Sequence, residues 1–274
     1  MRVGVAVRSM GPQSEPAVLL ECVRAAEAAG LAEIWVQDHV AIPPDDAEGS
    51  GGRYLDPLTC LAWLAASTSR IGLGSGVLVL PYRPPLPTAK AVATLQELSG
   101  GRLHLGVGVG WMAPEFRALD VPLAERGARS DETLAFLHRC FESDPMHAHG
   151  QDFLFLPKPL RPPIYVGGNG EHALRRSVAY GDAWMPMAGA PGKLAAPIER
   201  LRELSQEAKR DAPEVVAFTG FDPTELSEAR ERCLAYAELG IRHVVAGARY
   251  ADAAEFRRYL DFLSDIRASV SAAG

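Results

Sequence analysis

Arg2-Val3-Gly4-Val5-Ala6-Val7-Arg8-Ser9-Met10-Gly11-Pro12 opens the chain, and the way this stretch ends decides between two architectures. Residues 2–8 alternate as a strand does. An open, doubly wound α/β sheet carries its glycine-rich phosphate turn directly after such a first strand. Here Arg8-Ser9-Met10-Gly11-Pro12 follows, which is no phosphate loop. The remaining sequence repeats the opening unit. Apolar positions at helical spacing over 16–29 stop at Gly30, a helix C-terminal signal, and the strand 33–37 follows. Helix 57–69 then leads to strand 71–79, helix 86–98 to strand 103–109, and helix 124–142 to a short excursion. His147-Ala148-His149 and Phe153-Leu154-Phe155, with Gly150 between them, read as a hairpin. Strand 163–166, helix 170–179, strand 182–185, helix 192–209, strand 214–218, helix 223–238, strand 242–246 and helix 251–268 complete the run. About eight β/α units are what a closed parallel barrel needs. The predicted fold is therefore α/β, a (β/α)8 TIM barrel with a small hairpin insertion near 147–156, and residues 1–274 form one domain.

The bulk numbers agree with this reading and narrow the partners. The 274 residues suit one barrel domain, and 47% hydrophobic with 23% charged residues is ordinary for a water-soluble globular chain. A net charge of -6 without any Lys/Arg-rich block argues against nucleic acid as a partner, because phosphate neutralisation needs clustered cations. No apolar run reaches a membrane span, and no basic segment precedes a leader-like stretch, so a cytoplasmic location is expected. Cys22, Cys60, Cys140 and Cys233 are far apart, each within a predicted helix, and are read as buried reduced thiols.

Chemistry in a barrel collects at the C-terminal ends of the strands. Those ends supply Arg8, Gln37-Asp38-His39, Gly76 to Tyr82, Gly108-Val109-Gly110-Trp111, Gly167-Gly168-Asn169 and Trp184-Met185-Pro186. The set is rich in glycine and poor in acids, which disfavours a hydrolase built on paired carboxylates. It suits a large planar ligand approached closely by backbone. His39 is the candidate acid/base, with a bond to a neighbouring loop carbonyl as its plainer reading. In Ile71-Gly72-Leu73-Gly74-Ser75-Gly76-Val77, the glycines point either to tight helix–strand packing or to a bulge at Gly76-Val77 against a flat ring. Gly106-Val107-Gly108-Val109-Gly110 is not a dinucleotide fingerprint, and Trp111-Met112-Ala113-Pro114 follows it in place of a helix start. Gly167-Gly168-Asn169-Gly170 leads into a helix, as a phosphate cradle or as a plain βα turn. His147 and His149 are read as a solvated hairpin edge, and no metal site is expected. The loop 43–53, rich in Pro, Gly and Asp, reads as a mobile rim of the site.

Taken in order, these stretches resemble the bacterial luciferase-like monooxygenase family over nearly the whole chain. The resemblance rests on Glu33-Ile34-Trp35-Val36-Gln37-Asp38-His39, Tyr54-Leu55-Asp56-Pro57, Thr68-Ser69-Arg70-Ile71-Gly72-Leu73-Gly74 and Gly100-Gly101-Arg102 through Gly110-Trp111. It continues in Arg126-Gly127-Ala128-Arg129-Ser130-Asp131-Glu132 and Pro163-Ile164-Tyr165-Val166-Gly167-Gly168-Asn169. The Gly-Trp turn with Glu115-Phe116 and the stretch from Arg126 look most like the branch that uses the deazaflavin coenzyme F420. The resemblance implies a barrel, often dimeric, with a flavin-type ring at its C-terminal mouth. It puts His39 and Asp38 beside the ring as catalytic groups, and a bulge, often with a cis peptide, at Gly76-Val77 behind it. Cofactor contacts are expected from Gly76, Val77, Gly108, Val109, Gly110, Gly167, Gly168 and Asn169, with phosphate near the last three. Arg8, Trp111 and Trp184 are expected around the substrate. The implied reaction is F420-dependent hydride transfer with a small organic substrate. An FMN-dependent monooxygenase and a non-catalytic flavin-binding relative are the alternatives. The rim loop 43–53 and the region before strand 214–218 depart from the family pattern, so the substrate is the least transferable expectation.

Overall fold

Strands that alternate only weakly and are apolar on both faces belong between two packed layers, and that is where this chain puts them. The computed structural model describes residues 1–187 and 189–271. The elements run β1 (Arg2–Ala6), α1 (Pro16–Ala28), β2 (Glu33–Val36), α2 (Pro57–Ser67), β3 (Gly72–Ser75), β4 (Leu78–Val79) and α3 (Pro85–Leu98). They continue with β5 (Leu103–Gly108), α4 (Ala113–Ala118), α5 (Arg126–Glu142), β6 (Met146–Ala148), β7 (Gln151–Phe153) and β8 (Ile164–Gly167). The last are α6 (Glu171–Tyr180), β9 (Ala183–Met185), α7 (Pro191–Glu207), β10 (Glu214–Gly220), α8 (Leu226–Glu238), β11 (His243–Gly247) and α9 (Ala253–Ser271).

The parallel ladder runs β3-β2-β1-β11-β10-β9-β8-β5-β4, and pairing of β3 with β5 closes it. Because β3 and β4 are two halves of one stave, the nine ladder members make an eight-stave barrel. The (β/α)8 expectation holds, with one correction. The expected strand 71–79 is broken at Gly76-Val77, which joins its halves through a cis peptide bond. The hairpin insertion is β6 and β7, turned by His149 and Gly150, both at positive φ as a two-residue type I′ turn requires. A second correction concerns residues 111–114, read as the absence of a helix start. The short helix α4 begins there at Ala113, with Pro114 in its first turn where no amide donor is needed.

Local chemistry sets the helix ends. Helices α1, α2, α3 and α7 each open on a proline, whose φ is already helical. Asp56 also caps α2, its carboxylate accepting from the Thr59 amide at 2.9 Å. Gly30 and Gly240 take positive φ just past α1 and α8. The outer layer buries faces such as Leu19, Cys22, Val23 and Ala26 of α1 against the staves, and all four cysteines are buried there as free thiols.

The barrel lumen holds a separate cluster of Ala6, Trp35, Tyr165, Ala183, Met185, Val216 and Val245. Trp35 is its largest member, and strand register sets it opposite Gly74. A Cβ at Gly74 would lie 2.3 Å from the Trp35 ring, and one at Gly106 would lie 1.9 Å from the Ser75 carbonyl oxygen and 3.1 Å from the same indole. A Cβ at Gly72 would meet Glu33 and His104 at 2.7 Å. These three glycines therefore make room for lumen side chains, a packing role distinct from the helix–strand packing weighed for them.

Below Trp35, at the N-terminal end of the barrel, sits a buried polar cluster. Glu33 accepts from Arg2 at 2.6 Å and lies 2.9 Å from His243 Nε2, while His104 Nδ1 meets the Tyr165 hydroxyl at 3.0 Å. Burial alone would raise the Glu33 carboxyl. The bond from His243 and the charges of His243, His104 and Arg2 outweigh burial and hold it down to about 2. Burial pushes His104 down to about 4, with Glu33 opposing.

Two predictions follow from the lumen. Gly106→Ala is expected to cost about 3 kcal/mol or more in urea unfolding, at the upper end of overpacking penalties. Gly192→Ala in α7, where a Cβ meets nothing within 4 Å, should change stability by less than about 1 kcal/mol. A matching loss at both sites would refute the packing account. The second concerns acid. Glu33 is depressed from an ordinary 4.5, so its contribution is complete above that value and is lost as pH falls toward 2. His104 is depressed from 6.5 to about 4, so the unfolded chain takes up its proton first, and stability falls across that window too. Unfolding free energy measured from about pH 7 to about pH 3 should decline throughout, and Glu33→Gln should flatten only the part below about 4.5.

Candidate active site

The C-terminal ends of β2, β3/β4, β5, β8 and β9 converge on a cavity of about 440 Å³. Gln37, Asp38 and His39 follow β2, Gly76-Val77 joins β3 to β4, and Gly108-Val109-Gly110-Trp111 ends β5. Val79, Tyr82, Gly167, Gly168 and Met187 complete the lining. One wall is made by Val77. Cβ atoms at Gly108 and Gly167 would lie 2.5 Å and 2.7 Å from its two methyl groups. Valine is thus wedged between two bare strand backbones, and the surface left facing the cavity is flat. Gly110 takes φ 78° and passes so near Val79 that a Cβ would lie 2.7 Å from it. These are close approaches of backbone that only glycine allows.

His39 stands at the mouth. Its Nδ1 lies 2.9 Å from Glu115 Oε2, its ring packs on Tyr54 at 4.8 Å between centroids, and Trp111 meets it edge-on at 6.3 Å. Glu115 is fully buried and accepts from the Val40 and Ala41 amides at 2.6 and 3.0 Å and from the Tyr82 hydroxyl at 2.7 Å. Burial would raise this carboxyl, but those donors together lower it. Burial first, and then Glu115, push the Tyr82 phenol up. The arrangement offers a flat apolar slot with one ionisable ring at its edge. It suits holding a planar group and moving a proton beside it.

The chain matches the Luciferase-like monooxygenase family over residues 1–272. It belongs to that family. Among its relatives is an uncharacterized protein of Mycobacterium tuberculosis, 32% identical over 248 residues, covering 82% of this chain and 83% of the relative. The F420-dependent hydroxymycolic acid dehydrogenase of the same organism is 32% identical over 179 residues, covering 62% of this chain and 49% of that one. An F420-dependent secondary alcohol dehydrogenase solved with an F420-acetone adduct superposes with a TM-score of 0.80 at 19% identity, covering 98% of each chain. The monooxygenase RslO1 of Streptomyces bottropensis does so at 0.79 and 19% identity, covering 97% of this chain and 98% of that one. At those identities the two structures share the fold.

Other expected residues of this luciferase-like barrel take different posts. Asp38 is buried with both oxygens engaged. Oδ2 accepts from the Val79 amide at 2.8 Å and from Arg83 at 2.6 Å, and Oδ1 from Arg83 at 2.9 Å. Arg83 also reaches Asp56 at 2.8 Å. Asp38, which lines the cavity, therefore also ties the end of β2 to β4 and to the starts of α2 and α3. Trp184 does not line the cavity. Its ring lies in the outer apolar layer, and its Nε1 donates to the Gly168 carbonyl at 2.9 Å. Asn169 likewise clamps the loop from outside, exchanging two bonds with the Met187 backbone at 3.1 and 3.2 Å. Gly168 and Gly170 around it take φ 121° and 86°. Trp111, 73% exposed, lines the cavity at its rim.

Arg8 lines a separate hollow with Gln13, Arg249 and Tyr250 and not the cavity. The rim loop 43–53 is pinned at its far end, where Gly11 bonds Arg53 and Leu55 bonds Ser9 through the backbone. His147 pairs with Asp152 on the exposed hairpin, and no group of three or more potential metal ligands occurs among the described residues. Arg83 and Met187 were not read from the sequence at all; Tyr82 was noted only as a strand end, and Tyr54 and Glu115 only within the motifs that carry the resemblance, with no role given. A further signal for Glu115 was Ala113-Pro114-Glu115, a proline and an acid in the first turn of a helix.

Asp38→Asn leaves Arg83 without its buried partner and should cost about 3 kcal/mol in unfolding free energy with no ligand present. Unchanged stability would return Asp38 to a role in chemistry.

Proposed function

We propose that this chain is an oxidoreductase working with a deazaflavin of the F420 type and a small organic substrate. The observation that carries the reading is the slot wall made by Val77 seated against Gly108 and Gly167, two positions without a side chain. A flat tricyclic ring fits such a wall, and a Cβ at either glycine would lie 2.5 or 2.7 Å from a Val77 methyl and displace it. Gly76, Val77, Gly108, Val109 and Gly110 would hold the ring, and Gly167, Gly168 and Asn169 its polar tail at the start of α6. The bound group supplies hydride donation or acceptance at a ring carbon, and the protein supplies orientation and electrostatics. His39 manages a proton at the substrate side of the slot. Trp111 bounds the substrate on the rim.

The F420 assignment draws support from the F420-dependent relative, which is similar in sequence over 62% of the chain. The reading also carries a homodimer as the working assembly.

Titration of the apoprotein with F420 and with FMN, followed by ligand absorbance and protein fluorescence, tests it. Saturable F420 binding is expected, weakened about tenfold or more by Gly167→Ala, a loss of about 1.4 kcal/mol. Tight FMN binding without F420 binding would replace the reading with a flavin monooxygenase. Binding of F420 with no turnover by any hydride donor or acceptor would leave a cofactor-binding protein.

A further inference from the structure

Glu115 is the most heavily bonded buried acid at the barrel mouth, and its partners differ in what they can do. Oε1 receives two backbone amides, Val40 and Ala41, which can only donate. Oε2 faces the Tyr82 hydroxyl at 2.7 Å and His39 Nδ1 at 2.9 Å. A carboxyl that already accepts three hydrogen bonds in a fully buried position is held as the carboxylate, and a carboxylate only accepts. The proton in the His39–Glu115 contact therefore sits on Nδ1. The other ring nitrogen, Nε2, makes no hydrogen bond among the described residues and is not among the buried unpartnered atoms, so it is open on the side of the cavity that His39 lines.

We infer that Glu115 is a positioning residue that locks neutral His39 in the Nδ1–H tautomer, with a bare Nε2 toward the ligand. Neutral His39 is then a proton acceptor on its cavity side, and it donates there only as imidazolium. Which ring nitrogen is protonated is set by the bond the other one makes. Tyr82 and the two amides serve the same end, because they hold the carboxylate in place and ionised. The same contacts make a sharp substitution available. In Glu115→Gln the amide carbonyl keeps the position that receives Val40 and Ala41. Its NH2 group takes the position facing His39 and donates to Nδ1. The tautomer should invert, and the cavity-side Nε2 should turn from acceptor to donor without any change in ring position. The consequence for turnover rests on the proposed function, whereas the tautomer itself does not.

The test is long-range 1H–15N correlation of the histidine side chains in the ligand-free protein, above the pH where His39 is charged, with His39→Gln identifying its signal. Wild type should show the Nδ1–H pattern, Tyr82→Phe should retain it, and Glu115→Gln should show Nε2–H. A wild-type His39 in the Nε2–H form would overturn the inference, whether or not Glu115→Gln folds. So would a folded Glu115→Gln protein that keeps Nδ1–H. With the F420 reading intact, Glu115→Gln should lower kcat by about 10²-fold, the scale of one acid/base contribution, and leave cofactor affinity within about threefold. Failure of F420 to bind would defeat the functional reading and leave the tautomer result standing.

Discussion

An eight-stave barrel encloses a lumen that must be filled, and Trp35 fills this one. The demand passes directly to the neighbouring strands. Register sets the indole opposite Gly74, and the strand beyond it must stay bare at Gly106, where any side chain would strike the Ser75 carbonyl. The third stave is interrupted at Gly76-Val77 and resumes at β4. The candidate cavity lies on that break, and Gly76, which lines it, sits with its Cβ position 3.6 Å from Trp35. The cavity floor thus rests on the packed lumen.

Above the plug, the same economy of small residues recurs with a different partner. Val77 takes up the space that side chains at Gly108 and Gly167 would need, which leaves a smooth wall. The loops around it are fastened from behind. Asp38 and Arg83 tie the ends of β2 and β4 to α2, and Trp184 and Asn169 hold the turn after β8 to the outer layer and to the end of β9. Glu115 does the equivalent work for the rim at residues 39–41. Buried ionised groups are costly unless every lone pair is satisfied. Glu115 is satisfied by residues 39–41 of one loop and by Tyr82 of another, so a single acid joins two segments to α4.

How much of this could be read from the chain alone follows from the range of each interaction. The number of β/α units was legible because alternation and helix end signals are local. His39, Gly76-Val77 and the glycine pair after β8 were legible because strand ends are where barrels keep their chemistry. The break in the third stave was legible as a bulge, because glycine inside a strand marks one, whereas the need for bare positions at Gly74 and Gly106 was not, since it comes from Trp35 and Ser75 on neighbouring strands. The anchoring bond of Asp38 was not legible because its partner Arg83 lies 45 residues away. Trp184 was assigned to the cavity because β9 is buried on both faces, and such a strand gives no sign of which side faces inward. Helix α4 was missed because residues 111–114 were not read as a helix start, although Pro114 serves as an opening residue there.

The slot wall and the rim differ in how freely they can be rewritten. Gly74, Gly106, Gly108 and Gly167 are each pinned by an atom that a methyl group would overlap, so the wall tolerates almost no drift. Trp111 projects into solvent, and Val40 beside it is exposed as well. A barrel of this kind can change its clientele by exchanging rim residues while its inner surface stays constant. Laboratory diversification confined to the rim would begin from a scaffold already organised for it.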